Sequence, residues 1–97
     1  MPLSNAQIRY LRGLAHKLKP VVHLGQKGVT PSVLAELDAA LTVHELVKVK
    51  LAGERDEKAA LVERLRAETG AEVVQQIGFV VALYRRNDEK PRLALPD

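Results

Sequence analysis

The chain has 97 residues, of which 46% are hydrophobic and 28% are charged, a size and composition that fit one compact domain spanning residues 1–97. It contains no cysteine, which excludes disulfides, thiolate metal sites and cysteine nucleophiles and favours a reducing compartment. Its apolar runs are much shorter than the roughly 20 residues that cross a bilayer, and its first residues lack the order of a signal peptide. We therefore expect a soluble cytoplasmic protein with no membrane contact.

The positive charge of the chain is concentrated near its beginning. The net charge is only +3, but residues 1–35 contain no acid and carry the following bases: Arg9, Arg12, Lys17, Lys19 and Lys27. Residues 51–97 mix acids and bases in near-equal numbers. This distribution predicts a basic surface on the first part of the fold and a polyanionic partner.

A first helix is predicted to begin after Ser4. Gln7 follows Ser4 by three residues, the order of a capping box, and Pro20 ends the helical pattern. One apolar stripe with a period of about 3.6 residues consists of Ile8, Leu11, Leu14, Ala15 and Leu18. The outer side of the same helix carries Arg9, Arg12 and His16.

A short strand and a second helix follow. Residues 21–24 are β-branched and bounded by Pro and Gly, which predicts a strand. Thr30 and Pro31 are typical of a helix N-cap and first helical position. The predicted core face of this helix contains Val33, Leu34, Leu37, Ala40 and Leu41.

In residues 45–52 the side chains alternate between two sets with period two, which is typical of a strand with one face on the core and one wet, solvent-facing side. Val47, Val49 and Leu51 are predicted to point to the core, and Leu46, Lys48 and Lys50 are predicted to lie on the wet face.

The last part of the chain predicts a third helix and a hairpin. The helix is expected to run from Asp56 to Gly70 and to bury Ala60, Leu61 and Leu65. Residues 72–86 are expected to form two antiparallel strands around Gly78, with Phe79 in the second. That strand is apolar on both faces and should be an inner strand. Residues 87–97 are expected to be a tail that is loosely ordered or docked at an edge.

The predicted element order is therefore α-β-α-β-α-β-β. It indicates an α/β fold of the two-layer α+β type with a four-stranded mixed sheet. The second and third helices should share one face, and the first helix should cover part of the other.

Gly25, Gln26, Lys27 and Gly28 form a GxxG segment between the first strand and the second helix. Backbone N–H groups and the helix dipole at such a junction favour an anion, glycines allow close approach of a sugar-phosphate backbone, and Lys27 adds a cation. The segment matches neither a nucleoside triphosphate loop nor a dinucleotide fingerprint. The alternative is that both glycines only supply the positive φ of a tight turn.

Three stretches, "LRGLAH", "LGQKGVT" and "HELVKVK", closely resemble the CRM domain family, named for chloroplast RNA splicing and ribosome maturation, in its bacterial stand-alone YhbY-like form. The resemblance runs from about Leu3 to Leu95. It implies RNA binding, association with precursors of the large ribosomal subunit, and a fold similar to the C-terminal domain of bacterial translation initiation factor three. Ribosomal RNA and ribosomal proteins are the partners it implies, and we expect a monomer.

The resemblance also implies a site. The family's GxxG loop matches Gly25 to Gly28, and within this interpretation we expect the loop to pack against the RNA backbone with Lys27 on a phosphate. The expected electrostatic footprint continues through Arg9, Arg12, His16, Lys17, Lys19, Lys48 and Lys50. Such contacts give salt-dependent affinity with little base readout. Only three aromatic residues exist, Tyr10, Phe79 and Tyr84, so a stacking platform is not expected.

Other functional classes find less support in the sequence. An enzyme acting on RNA needs positioned carboxylates or a paired histidine, and no acid precedes Glu36. His16, His23 and His44 lack the i,i+4 spacing of a helical metal pair, so we expect neither catalysis nor a metal or cofactor. Two alternatives stay open: the polyanion is DNA, or the basic surface docks an acidic protein.

Overall fold

The computed structural model describes residues 3–25, 27–53 and 55–96. Its elements, in chain order, are α1 (Asn5–Ala15), β1 (Val22–His23), α2 (Pro31–His44), β2 (Leu46–Lys50), α3 (Arg55–Thr69), β3 (Glu72–Ile77) and β4 (Val80–Tyr84). This order confirms the predicted α-β-α-β-α-β-β arrangement. Within the described ranges, no helix is long and apolar enough to cross a membrane.

The four strands form one mixed sheet in the order β1-β2-β4-β3. β1 and β2 are parallel, because α2 returns the chain to the start of the sheet, and β4 is antiparallel to both β2 and β3. The strand that is apolar on both faces, β4, lies inside the sheet as predicted. On edge strand β3 the register shifts between Val73 and Gln75, so Val74 forms a bulge.

The larger core lies between the sheet and the helix pair α2 and α3. Its central side chains are fully or almost fully buried and include Leu37, Leu41, Leu65, Val22, Val47, Val49, Val81 and Leu83. The predicted burial of Ala60 is wrong, because that residue is exposed and Val62 is buried instead. Leu61, Val62 and Leu65 face the sheet, and Ala60 lies about 100° around the helix from Leu61.

α1 covers only one end of the opposite face of the sheet, where a second cluster contains Leu11, Ala15, Leu46, Val74, Ala82 and Tyr84. Leu46 is therefore buried, and the expectation that it lies on a wet face is wrong. The placement of Leu18 in the apolar stripe is also wrong. α1 ends at Ala15, the N–H of Leu18 bonds to the Ala15 oxygen in a tighter i→i+3 turn, and Leu18 is 40% exposed.

The tail after β4 is held by one buried carboxylate. Glu45, which ends α2 with a φ of 62°, is fully buried. Its side chain accepts hydrogen bonds from the backbone N–H groups of Asn87 at 2.8 Å and Leu93 at 2.7 Å, and also from that of Arg92. Leu93 and Leu95 pack against the second cluster. The tail thus has no helix or strand in its described part but docks beside α1.

Candidate nucleic-acid interface

The segment from Gly25 to Gly28 is a tight turn in which the Gly28 N–H donates to the Gly25 carbonyl oxygen at 3.0 Å. Gly28 has a φ of 69°, a conformation that favours glycine. Gly25 does not have a positive φ, and a Cβ placed on it would meet no atom of the described residues within 4 Å, its chain neighbours aside. The turn therefore requires glycine at position 28 but not at position 25. Gln26, predicted to belong to this site, lies outside the described residues.

Fewer backbone donors are available here than the sequence suggested. The Gly28 N–H is used inside the turn, and the Val33 N–H donates to the Thr30 hydroxyl at 3.2 Å. Pro31 has no N–H. The loop thus offers an exposed surface without a Cβ at Gly25 and the exposed cation of Lys27.

The turn lies at the end of the sheet that α1 leaves open. The Leu24 N–H donates to the Lys50 oxygen at 2.9 Å, and His23 is the register partner of Lys50. On its inner side, the turn approaches α3, since a Cβ on Gly28 would lie 3.6 Å from Leu61. The glycine loop and the last residue of β2 are therefore neighbours.

Two rows of side chains cross the α1 side of the sheet beside the part that α1 covers, and Ala82 in the second row lies at the border, because it is buried in the second cluster. Register places His23, Lys50, Val80 and Ile77 in one row and Lys48, Ala82 and Gln75 in the next. Strand alternation sets their direction, because Val81 and Leu83 of β4 face the opposite core. The lysines thus lie on β2, the apolar residues Val80 and Ala82 lie on β4, and β3 contributes apolar Ile77 and polar Gln75.

The C-terminal end of α1, with the segment that follows it, and the sheet border a hollow of about 230 Å³ above these rows. It is lined by His16, Pro20, Lys48, Gln75, Ile77, Val80 and Ala82. Lys48 is half-buried, and its Nζ donates to the Leu18 oxygen at 3.2 Å. His16 and Lys48, far apart in sequence, are brought together here, and Lys50 stands exposed in the adjacent row.

The other predicted basic residues do not converge on that hollow. Lys17 and Lys19 are exposed and line a separate apolar groove of about 490 Å³, together with Leu14, Val21 and Leu46. These two lysines therefore line a different recess, in the segment that follows α1.

Arg9 and Arg12 are both exposed on α1, but they are not equivalent. The Arg12 Nε donates to the Val74 oxygen at 3.0 Å, which ties α1 to the bulge in β3. Arg12 thus has a structural contact in addition to its predicted role.

Sequence reasoning missed an apolar surface at the tip of the β3–β4 hairpin. Phe79 was predicted within the inner strand, but it lies in the turn and is 43% exposed. The Lys58 Nζ lies 4.3 Å from its ring centroid. Ile77 is 61% exposed. The signal was present, because a two-residue turn that begins at Gly78 must include the next residue.

The described residues contain no group of three or more His, Cys, Asp or Glu side chains that could hold a metal ion.

The chain is similar to known proteins in both sequence and fold. The model of the CRS1 / YhbY (CRM) domain family matches residues 3–85. A Haemophilus influenzae protein named "RNA-binding protein" is 47% identical over 95 residues, covering 97% of this chain and 95% of the relative. A Bacillus subtilis protein named "Probable RNA-binding protein YqeI" is 33% identical over 95 residues, which cover 97% of this chain and 99% of the relative. The solution structure of a Staphylococcus aureus protein, a candidate RNA-binding protein, matches with a TM-score of 0.83 at 35% identity, covering 98% of this chain and all of the other.

Proposed function

This chain belongs to the CRS1/YhbY (CRM) domain family, and from that premise we propose that it is a non-enzymatic RNA-binding protein that associates with precursors of the large ribosomal subunit in the cytoplasm. The single observation that carries the RNA-contact part of the proposal is Gly25. It is exposed, its φ is not positive, and a Cβ on it would meet no atom of the described residues within 4 Å, its chain neighbours aside. A glycine with no internal need for its missing side chain suits close approach by an external backbone.

The charges around Gly25 support a polyanion as that external backbone. Lys27 is exposed in the same turn, and Lys50 and His23 lie at the adjoining end of the sheet. If one phosphate of the RNA is held between the glycine turn and Lys50, the rest of the RNA chain is free to cross the sheet toward His16. Binding of this kind is driven by release of counterions and weakens as salt is raised.

The ribosomal part of the proposal rests on the resemblance to the family, and the choice of RNA over DNA is supported by the names of the relatives. The proposed footprint comprises Gly25, Gln26, Lys27 and Gly28, with Arg9, Arg12, His16, Lys17, Lys19, Lys48 and Lys50. The protein acts as a monomer in this proposal and needs no cofactor.

Sedimentation of a cell extract through a sucrose gradient tests the proposal. We expect the protein to migrate with precursors of the large subunit and to be released by RNase or moderate salt. A variant with Gln26 and Lys27 both changed to Asp should remain at the top of the gradient while keeping the circular dichroism of the wild type. Migration of the wild-type protein at the top under every gentle condition would overturn the ribosomal assignment.

A further inference from the structure

We propose that the hollow between α1 and the sheet receives an unpaired base of the bound RNA, so that the protein recognises single-stranded rather than duplex segments. This inference rests on the proposed RNA-binding function and adds a base contact to it. The hollow of about 230 Å³ holds the volume of several water molecules at ~30 Å³ each. It adjoins the Lys50 row, beside the glycine turn that is proposed to hold the RNA backbone.

The floor of the hollow is suited to the flat face of a base. Ile77 of β3 and half-buried Val80 of β4 present apolar side chains on one face of the sheet, and almost fully buried Ala82 lies beside them. Ile77 is 61% exposed even though it neighbours partly buried Val80. Apolar contact of this kind does not depend on aromatic side chains, so the scarcity of aromatic residues does not exclude base contacts.

The rim of the hollow is suited to the polar parts of a nucleotide. The Gln75 amide can both donate and accept hydrogen bonds at a base edge. His16 and Lys48 stand on the side toward α1, where a phosphate or a ribose hydroxyl would lie. Among the residues described around the hollow, none is acidic. This charge pattern favours a nucleotide over a cationic or wholly apolar occupant.

Because the hollow is a recess, it can receive a base from a single strand but not a base that is paired in a duplex. In A-form RNA the bases are stacked and their edges are paired, so a base can reach a recess in a protein only when it is splayed out of a helix. A duplex could still contact Lys27 and Lys50 through its phosphates, but it could not fill the hollow.

The test measures equilibrium binding at one fixed salt concentration. The ligands are an oligouridine, a reduced abasic phosphodiester oligomer of the same length, and the duplex of the oligouridine with oligoadenylate. The variants are Ile77→Ser and Gln75→Ala, and the matched control is Val43→Ser, which changes an apolar side chain that is 48% exposed on α2, outside the hollow. Circular dichroism verifies that each variant is folded.

The wild type should bind oligouridine more tightly than the abasic oligomer or the duplex. Ile77→Ser should lower the affinity for oligouridine about fivefold, as expected for loss of partial apolar burial, and leave the affinity for the abasic oligomer unchanged. Val43→Ser should change neither. Equal binding of all three ligands, or equal losses for oligouridine and the abasic oligomer in the variants, would overturn the base contact but leave RNA binding in place. Failure of the wild type to bind any of the three would overturn both proposals.

Discussion

The side chain of Arg12 joins the first helix to the edge of the sheet, because its Nε donates a hydrogen bond to the Val74 carbonyl oxygen at 3.0 Å. That carbonyl belongs to the bulge of β3, where the regular pairing with β4 is interrupted. The bulge thus supplies the acceptor, and the arginine links α1 to β3 beside the hollow, which Gln75 and Ile77 of β3 help to line. A residue that was predicted only as an RNA contact therefore also shapes the surface on which RNA is proposed to lie.

Replacing Arg12 by Ala should reduce both stability and RNA affinity. We expect a loss of about 1 kcal/mol in the free energy of unfolding, the usual contribution of one such hydrogen bond, measured by urea denaturation. Arg9→Ala is the matched control, since Arg9 is an exposed arginine on the same helix, and it should lower RNA affinity with little change in stability. Equal stability of the two variants would contradict a structural role for the Arg12 contact.

The two glycines of the turn should respond differently to substitution. Gly28→Ala places a side chain at a φ of 69° and should lower the free energy of unfolding by about 1 kcal/mol. Gly25→Ala should leave stability within about 0.5 kcal/mol, as for other exposed sites.

Side chains of increasing size at Gly25 test whether the turn contacts RNA. Gly25→Ala and then Gly25→Val should weaken RNA binding progressively as bulk is added between the protein and the RNA backbone. Ala67→Val adds bulk at an exposed site on α3, away from the turn, and should have no effect. Full RNA affinity in folded Gly25→Val would mean that the turn does not approach the RNA backbone.

The charge of Lys27 should be visible in the salt dependence of binding. If Lys27 contacts one phosphate of a single strand, Lys27→Ala should make the slope of log K against log salt less steep by about 0.7. The comparison variant is Lys90→Ala, which removes an exposed lysine from the tail and should leave the slope as in the wild type. An unchanged slope for Lys27→Ala would remove this residue from the footprint.

The carboxylate of Glu45 should control the order of the tail. Glu45→Gln keeps the size of the side chain but removes the charge that strengthens its bonds to the N–H groups of Asn87 and Leu93. We expect a loss of about 2 kcal/mol in the free energy of unfolding and faster hydrogen exchange at both amides. Glu36→Gln, a change at an exposed glutamate of α2, should leave exchange in the tail unaltered. Unaltered exchange in Glu45→Gln would contradict the role of the carboxylate and leave the packing of Leu93 and Leu95 and the other hydrogen bonds of the tail to hold it.

The sequence was a good guide wherever a local pattern decided the structure. The capping box of Ser4 and Gln7 and the cap at Thr30 are present as predicted. β4 lies inside the sheet, because a strand that is apolar on both faces must be covered on both. Each of these features depends on residues that are close together in the chain.

The misplaced residues depend on contacts that are distant in the chain. Leu46 is buried because α1 covers that end of the sheet, and strand alternation alone does not tell how far a helix reaches. Glu45 meets its partners more than 40 positions later. The hollow likewise joins His16 to Gln75. The sequence therefore suggested which residue types would form the candidate site, whereas the depth and boundaries of the site depend on tertiary packing.

The two edge strands of the sheet, β1 and β3, affect the tendency of the protein to aggregate at high concentration. β1 is only two residues long, and β3 is interrupted by the bulge at Val74. A short strand and an irregular one are both poor templates for pairing with a strand of another molecule. The same irregularity that gives Arg12 its acceptor therefore also opposes strand-to-strand aggregation, so one local defect contributes to both the shape and the solubility of the molecule.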